Sequence, residues 1–224
     1  MAFVPSSQRT ALLAGATGLV GRALLPLLLR SHASVEVLVR RAVPGLDANP
    51  KIRLRVVDFA NLHDPLQAID DVFIALGTTI KVAGSQAAFR SVDLDAVVAT
   101  ARAARTAGAT RLAVVSALGA DVASSVFYNR VKGEMEAAVA TLGYDSVTIA
   151  RPSLLLGDRV ALGQPVRRGE VWAMRLFAPV MGLVPRTLRP IQAADVAAAL
   201  VDSLRAARPG IRILTSTQMQ RAGG

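Results

Sequence analysis

Tyr128 and Lys132 stand four residues apart in Tyr128-Asn-Arg-Val-Lys132. On a helix that spacing puts the phenol and the ammonium on one face, one turn apart. A neighbouring ammonium favours the phenolate, so the pair is expected to bring the tyrosine down from an ordinary pKa of about 10 toward neutrality. A phenol tuned in this way can give a proton to, or take one from, a carbonyl and alcohol pair. Ser116 ends the apolar run before this segment, and its hydroxyl is a candidate to bind the same carbonyl oxygen. Any exposed helix can carry a tyrosine and a lysine at this spacing. Here Lys132 is one of three lysines, with Lys51 and Lys81, among 26 basic residues, which sets it apart.

The second constellation is Gly15-Ala-Thr17-Gly18-Leu19-Val20-Gly21, directly after one apolar run and directly before a longer one. The first glycine permits a sharp turn, the second lets backbone approach a pyrophosphate, and the third lets a helix pack closely on a sheet. The helix N-terminus then offers free N–H groups to the anion. Read without that context, the glycines are only a core turn. Dinucleotide type is decided after the second strand, where a carboxylate binds a ribose 2'-hydroxyl and an arginine a 2'-phosphate. That strand ends in Arg40-Arg41, while the competing carboxylate, Glu36, lies at its start, about 13 Å back at about 3.3 Å per residue. Ligands gather at the carboxyl ends of parallel strands, so Arg40 is the expected reader and NADP(H) the expected cofactor.

These groups need a scaffold. Strands are expected at Thr10–Ala14, Val35–Val39, Leu54–Val57, Val72–Leu76, Leu112–Val115, Ser146–Ala150 and Ile211–Leu214, as short apolar runs buried on both faces. Helices are expected at Leu19–Arg30, Pro65–Ile69, Gln86–Ala107, Ser125–Leu142 and Ala193–Ala206. The alternation predicts a doubly wound α/β parallel sheet in a single domain over residues 1–224. Residues 152–190, broken by glycine and proline, are expected to form a small C-terminal substrate lobe. Its apolar residues, among them Trp172, Phe177 and Met181, hint at an apolar ligand or a partner helix.

The 224 residues are 52% hydrophobic and 19% charged, which excludes disorder as the main description. With no cysteine and two isolated histidines, His32 and His63, no thiolate metal site or disulfide can form, and no metal is expected. The absence of cysteine is compatible with the cytoplasm, the expected location. The apolar stretch from Ala11 to Leu29 carries Arg22, Pro26 and three glycines, so no transmembrane segment is expected. The net charge of +10 is spread along the chain, and aromatics are 4%, which argues against a specific nucleic-acid partner. Monomer and homodimer both remain open.

Together these residues resemble the short-chain dehydrogenases/reductases in their extended and atypical form, a Rossmann-type family, over nearly the whole chain. Gly15, Gly18 and Gly21 match the glycine motif, and Tyr128 and Lys132 the catalytic pair. By the same resemblance, Asp58-Phe59 follows the third strand with an acid that meets the adenine. Leu76-Gly77-Thr78-Thr79 lies beside the cofactor, and Arg151-Pro152-Ser153 contacts the nicotinamide carboxamide. Ile191 to Ala197, with Asp195, resembles a late helix-opening motif. More narrowly, Ala75–Thr79, Ser116–Asp121 and Val131–Glu134 resemble the branch named after the Tat-interacting protein. Two positions depart from the wider family. Ala117 replaces a second serine, leaving Ser116, Ser124 and Ser125 as alternatives, and Asp93 stands where many relatives carry the asparagine of a catalytic tetrad. The resemblance implies an NADPH-dependent reductase acting on a small carbonyl or alcohol substrate. A binding module that uses NADPH occupancy to switch a protein partner is the second reading, favoured by the short substrate lobe. Nucleic-acid or acidic-protein binding is a third, resting on charge alone.

Overall fold

The computed structural model describes residues 8–62, 66–156 and 187–220. Nine strands and seven α-helices alternate among these residues. The strands are β1 (Thr10–Ala14), β2 (Ser34–Val39), β3 (Ile52–Val56), β4 (Asp71–Ile74), β5 (Arg111–Val115), β6 (Ser146–Arg151), β7 (Leu155–Leu156), β8 (Ile191–Gln192) and β9 (Gly210–Thr215). The helices are α1 (Leu19–Ser31), α2 (Ile80–Ala83), α3 (Gln86–Arg90), α4 (Ala96–Thr106), α5 (Phe127–Ala140), α6 (Ala193–Ala206) and α7 (Ser216–Gln220).

Seven strands form one parallel sheet in the order β3-β2-β1-β4-β5-β6-β9, and β7 pairs with β8 separately. Alternate strand residues feed opposite faces. Leu13, Val37, Phe73 and Val115 pack under α1 and α6, through Leu24, Leu28, Val196 and Leu200. Leu12, Leu38, Ile74 and Val114 pack under α4 and α5, through Val97, Ala101, Val131 and Met135. Burial on both faces is why the inner strands read as continuous apolar runs. The edge strands are the exception, since β3 is half-exposed and Ile211 and Ile213 of β9 are exposed. In-register pairing brings the carboxyl ends of β1 to β6 to one edge, with the topological switch between β1 and β4.

Three expectations need correction. Residues 66–69 are irregular rather than helical, because a single isolated turn fixes several dihedrals for almost no hydrogen bonds. The helix expected over 86–107 is interrupted by a π-helical turn, Ser91–Asp95, between α3 and α4. Such turns insert a residue and often mark functional positions. Helix α5 is also a little shorter than the expected span 125–142. Most of the expected substrate lobe, including Trp172, Phe177 and Met181, lies outside the described residues. Among the described residues, no helix is long and apolar enough to cross a membrane.

Candidate active site

The glycine turn sits on the switch point. Gly15 follows β1 with φ of 93°, a conformation that favours glycine, and a Cβ there would collide with the Ala75 carbonyl after β4. A Cβ on Gly21 would collide with the Gly15 carbonyl, so Gly21 lets α1 press onto the turn. Gly18 differs: a Cβ there would rest 3.4 Å from the Gly15 carbonyl oxygen, an ordinary contact. The protein's own packing leaves room at Gly18, as expected for a cradle that a phosphate fills. Gly18 caps α1 with extended backbone, no side chain bonds the cap, and the first turn holds no acid, which suits an anion at these amides. Thr17 is exposed and Leu19 half-buried, while the Val20 side chain is in the core.

Arg40 and Arg41 follow β2 at the carboxyl edge, and both are exposed. Glu36 is buried within β2, its Oε1 3.2 Å from Arg55 Nε, near enough for an ion pair but not aligned for a hydrogen bond. Burial raises its pKa, and the charges of Arg55 and Arg53 offset this only partly. Asp58 is exposed and folds back on its own loop, accepting from the Ala60 amide at 3.0 Å and from Asn61 Nδ2 at 2.9 Å. Phe59 beside it is buried.

Helix α5 carries Tyr128 and Lys132 as the spacing predicts, and a loop braces it. A Cβ on Gly133 would collide with the backbone of Asp121 and Val122, so only glycine allows this approach. The Asp121 amide donates to the Asn129 carbonyl at 3.1 Å, and the Leu118 amide donates to the Pro152 carbonyl at 2.9 Å. Pro152 is buried, and the preceding Arg151 holds Glu136 of α5 through its Nε at 3.0 Å. The Tyr128 ring lies 5.3 Å from the Phe89 ring of α3.

The electrostatics reverse one expectation. Lys132, 3% exposed, does not act on Tyr128 as an isolated cation, because its Nζ is 2.7 Å from Asp93 Oδ1 on the π-turn. The other Asp93 oxygen accepts from the Thr78 amide at 2.9 Å. Tyr128 is pushed up to about 12, first by burial and second by the Asp93 charge, so the phenol keeps its proton at neutral pH. Thr79 meanwhile caps α2 through its hydroxyl, and Gly77 and Leu76 line the approach from β4.

Of the three serines, Ser116 is buried after β5 and its hydroxyl has no hydrogen-bond partner among the described residues. Ser124 accepts from the Val126 amide at 3.2 Å and Ser125 is exposed, so of the three only Ser116 is a buried hydroxyl without a partner among the described residues. Two contacts go beyond the sequence reading: Asp93, placed there only by its match to the asparagine of a catalytic tetrad, is the partner of Lys132, and Gly133 is the bracing contact. Asp93 was detectable, since it falls four residues from both Phe89 and Val97 on a buried stripe, and a buried carboxylate demands a partner.

A glycine turn at the switch point of a doubly wound parallel sheet, followed on the same edge by a Tyr-Lys helix, defines an NAD(P)-binding protein of the short-chain dehydrogenase/reductase type. A family model described as NAD(P)H-binding matches residues 15–207, and the chain belongs to that family. Protein fmp52, mitochondrial, of Emericella nidulans is 34% identical over 186 residues, covering 79% of this chain and 78% of the relative. Protein HTATIP2 of Rattus norvegicus is 35% identical over 176 residues, covering 76% and 70%. Similar solved structures include human epimerase family protein SDR39U1 with NADPH, at TM-score 0.63 and 19% identity over 93% of this chain and 77% of that one. MoeE5 in complex with UDP-glucose and NAD gives TM-score 0.68 and 19% identity over 92% and 75%. At such identity these two speak to the fold. The resemblance to the atypical short-chain family and its Tat-interacting-protein branch therefore holds, and the chain is oxidoreductase-like. The cytoplasmic location does not hold. Several relatives are named mitochondrial, which points away from the cytoplasm, and a cysteine-free composition had no power to choose a compartment.

Proposed function

We propose that this chain is an NADP-dependent reductase that converts a carbonyl to an alcohol. The observation that carries the reading is Tyr128, which keeps its proton one helical turn from the buried Lys132, at the edge where the glycine turn opens. A bound dinucleotide would rest on Gly15 to Gly21, with Arg40 and Arg41 toward a 2'-phosphate and Asp58-Phe59 toward the adenine. Leu76 to Thr79, Lys132 and Pro152 would line its nicotinamide half. When bound, it supplies the hydride that reaches the carbonyl carbon. The Ser116 hydroxyl donates a hydrogen bond to the carbonyl oxygen, and Tyr128 gives that oxygen its proton and is reprotonated from solvent. The new C–H and O–H bonds complete the alcohol. A phenol that keeps its proton at neutral pH is in the form that can give it to the carbonyl oxygen.

A non-catalytic NADPH-binding module is the second reading, favoured by the neutralisation of Lys132 by Asp93. A panel of aldehydes, ketones and quinones, followed by loss of reduced nicotinamide, separates the two. Tyr128→Phe is expected to lose about 100-fold or more in turnover while its NADPH affinity stays within about twofold. Full turnover in that variant would remove Tyr128 as the proton donor.

A further inference from the structure

We infer that the carbonyl substrate of this site is uncharged and apolar: its oxygen meets Ser116 and Tyr128, and its hydrocarbon part lies against the segments that follow β4, β5 and β6. The inference rests on the reductase reading and names its substrate class.

The carboxyl edge of the sheet is divided by polarity. Ten large apolar side chains are exposed among the described residues, and six of them stand in three segments. Ile80 and Val82 follow β4, Leu118, Val122 and Val126 follow β5, and Leu154 follows β6. These strands are neighbours in the sheet, so the segments leave it side by side. Beyond β1 and β2, by contrast, stand the glycine turn and the exposed Arg40 and Arg41. A single exposed valine is ordinary, whereas apolar side chains gathered at one side of a site are what a ligand covers. The segment after β5 begins at Ser116 and runs to Tyr128, so Leu118, Val122 and Val126 lie between the two groups assigned to the carbonyl oxygen. Its backbone is fixed: the Ser124 amide donates to the Asp121 carbonyl at 3.1 Å and the Arg130 amide to the Val126 carbonyl at 3.0 Å. Val122 and Val126 are nevertheless left more than half exposed.

The charges on this side favour a neutral ligand. Arg151 at the end of β6 holds the Glu136 carboxylate through Nε at 3.0 and 3.2 Å. Arg130 donates to the Ser124 carbonyl at 2.9 Å, and its guanidinium lies 5.8 Å from the centre of the Phe127 ring. Lys81 on α2 and Asp121 in the segment after β5 are both exposed and of opposite sign. A carboxylate or phosphate on the substrate would give up its water to meet guanidinium groups that already have partners. A hydrocarbon tail has no such cost, and each methylene it lays against the apolar segments is worth about three- to fourfold in affinity.

The test uses the full chain with NADPH and two readouts. Along the straight-chain aldehydes from propanal upward, kcat/KM should rise about three- to fourfold per methylene until the segments are covered. Butanal should exceed succinic semialdehyde, its counterpart with a terminal carboxylate, by about tenfold or more. A flat series, or a preference for succinic semialdehyde, overturns the inference. The second readout is binding and needs no turnover: displacement of the uncharged fluorophore Nile red by alkan-1-ols should strengthen by the same factor per methylene. Val122→Asn combined with Val126→Asn should bring that factor below about twofold, with Leu154→Gln in its place if circular dichroism shows that variant unfolded. Ile211→Asn combined with Ile213→Asn, at exposed positions on the edge strand β9, should keep the wild-type factor. Displacement independent of chain length, or an unchanged factor in the Val122 and Val126 variant, overturns the inference. So does a second copy of the chain seated on these side chains, seen as a concentration-dependent mass in sedimentation that the same variant lowers. Length-dependent displacement with no aldehyde reduced would remove the reductase reading and uphold the ligand class.

Discussion

Two buried carboxylates sit at opposite ends of the sheet and behave differently. Asp71 opens β4 at the amino edge and Asp93 lies beyond the carboxyl edge, at 2% and 1% exposure. Asp71 is saturated: Arg111 Nε and Nη2 reach it at 2.6 and 2.9 Å, Arg9 Nε and Nη2 at 3.0 and 3.1 Å, and His32 Nε2 at 3.1 Å. Burial works to raise its pKa, but the hydrogen bonds from His32, Arg9 and Arg111 and the Arg111 charge outweigh it and hold Asp71 below the ordinary range. Arg111 also donates to the Leu204 carbonyl at 3.1 Å, so this knot ties the approach to β1, the ends of α1 and α6, and the starts of β4 and β5. At the carboxyl edge the bonding stays open among the described residues: the Ser116 hydroxyl has no partner and the N-terminus of α1 has no side-chain cap. Saturation at one edge holds the fold, and the open groups at the other are those that the proposed function assigns to the ligand.

The largest expected effect breaks the saturated end. Asp71→Ala leaves two arginines facing each other in a buried site and should cost about 3 to 5 kcal/mol in urea unfolding. A loss under about 1 kcal/mol would mean the knot is ornamental. A depressed carboxylate contributes stability above its unfolded value of about 3.9, and that contribution disappears as pH falls through the lower folded value. Wild type should therefore lose stability below about pH 4, and an Asp71→Asn variant should lose less over the same interval, both read as urea midpoints.

Next come the glycines. Gly21→Ala drives a methyl into the Gly15 carbonyl and should cost about 2 to 3 kcal/mol or prevent folding. Gly18→Ala meets only ordinary contacts and should cost about 1 kcal/mol or less, while NADPH affinity falls about tenfold or more because the methyl occupies the cradle. Equal stability losses in the two variants would erase the distinction between a packing glycine and a ligand glycine.

The smallest stability effect belongs to Ser116→Ala. Removing a buried hydroxyl with no partner among the described residues should leave the unfolding free energy within about 1 kcal/mol, or raise it slightly. Carbonyl reduction should nevertheless fall about 100-fold, because the hydroxyl's partner is the reacting oxygen. A large stability loss with intact turnover would make Ser116 a core residue.

Much of the scaffold was legible because doubly buried strands leave β-branched runs, and the glycine turn announces itself between one such run and a helix. Tyr128 and Lys132 were legible as a pair because four residues is a local distance. The direction of the shift at Tyr128 was not. It comes first from burial and second from Asp93, which is distant in sequence and reaches Lys132 only through the sheet crossover and the π-turn. The helix expected at 65–69 failed for a related reason, since its apolar residues are held by tertiary packing rather than by a helical period. Short pairs such as β7 and β8 have too few residues to show any period at all. Gly133 was in view beside Lys132, but only the position of the Asp121–Val122 backbone gives it a purpose.

The choice between dinucleotides is the most direct trial of a site built around Arg40. The pyrophosphate cradle is common to both, so only the 2'-phosphate distinguishes them. Calorimetric titration of the wild-type chain with NADPH and with NADH should give tighter NADPH binding by tens-fold to about a hundredfold, through charge-assisted bonds from an exposed arginine. Arg40→Ala should remove most of that difference by weakening NADPH and sparing NADH. Equal affinities in the wild type, or tighter NADH, would contradict the assignment of Arg40 and of NADPH as the cofactor.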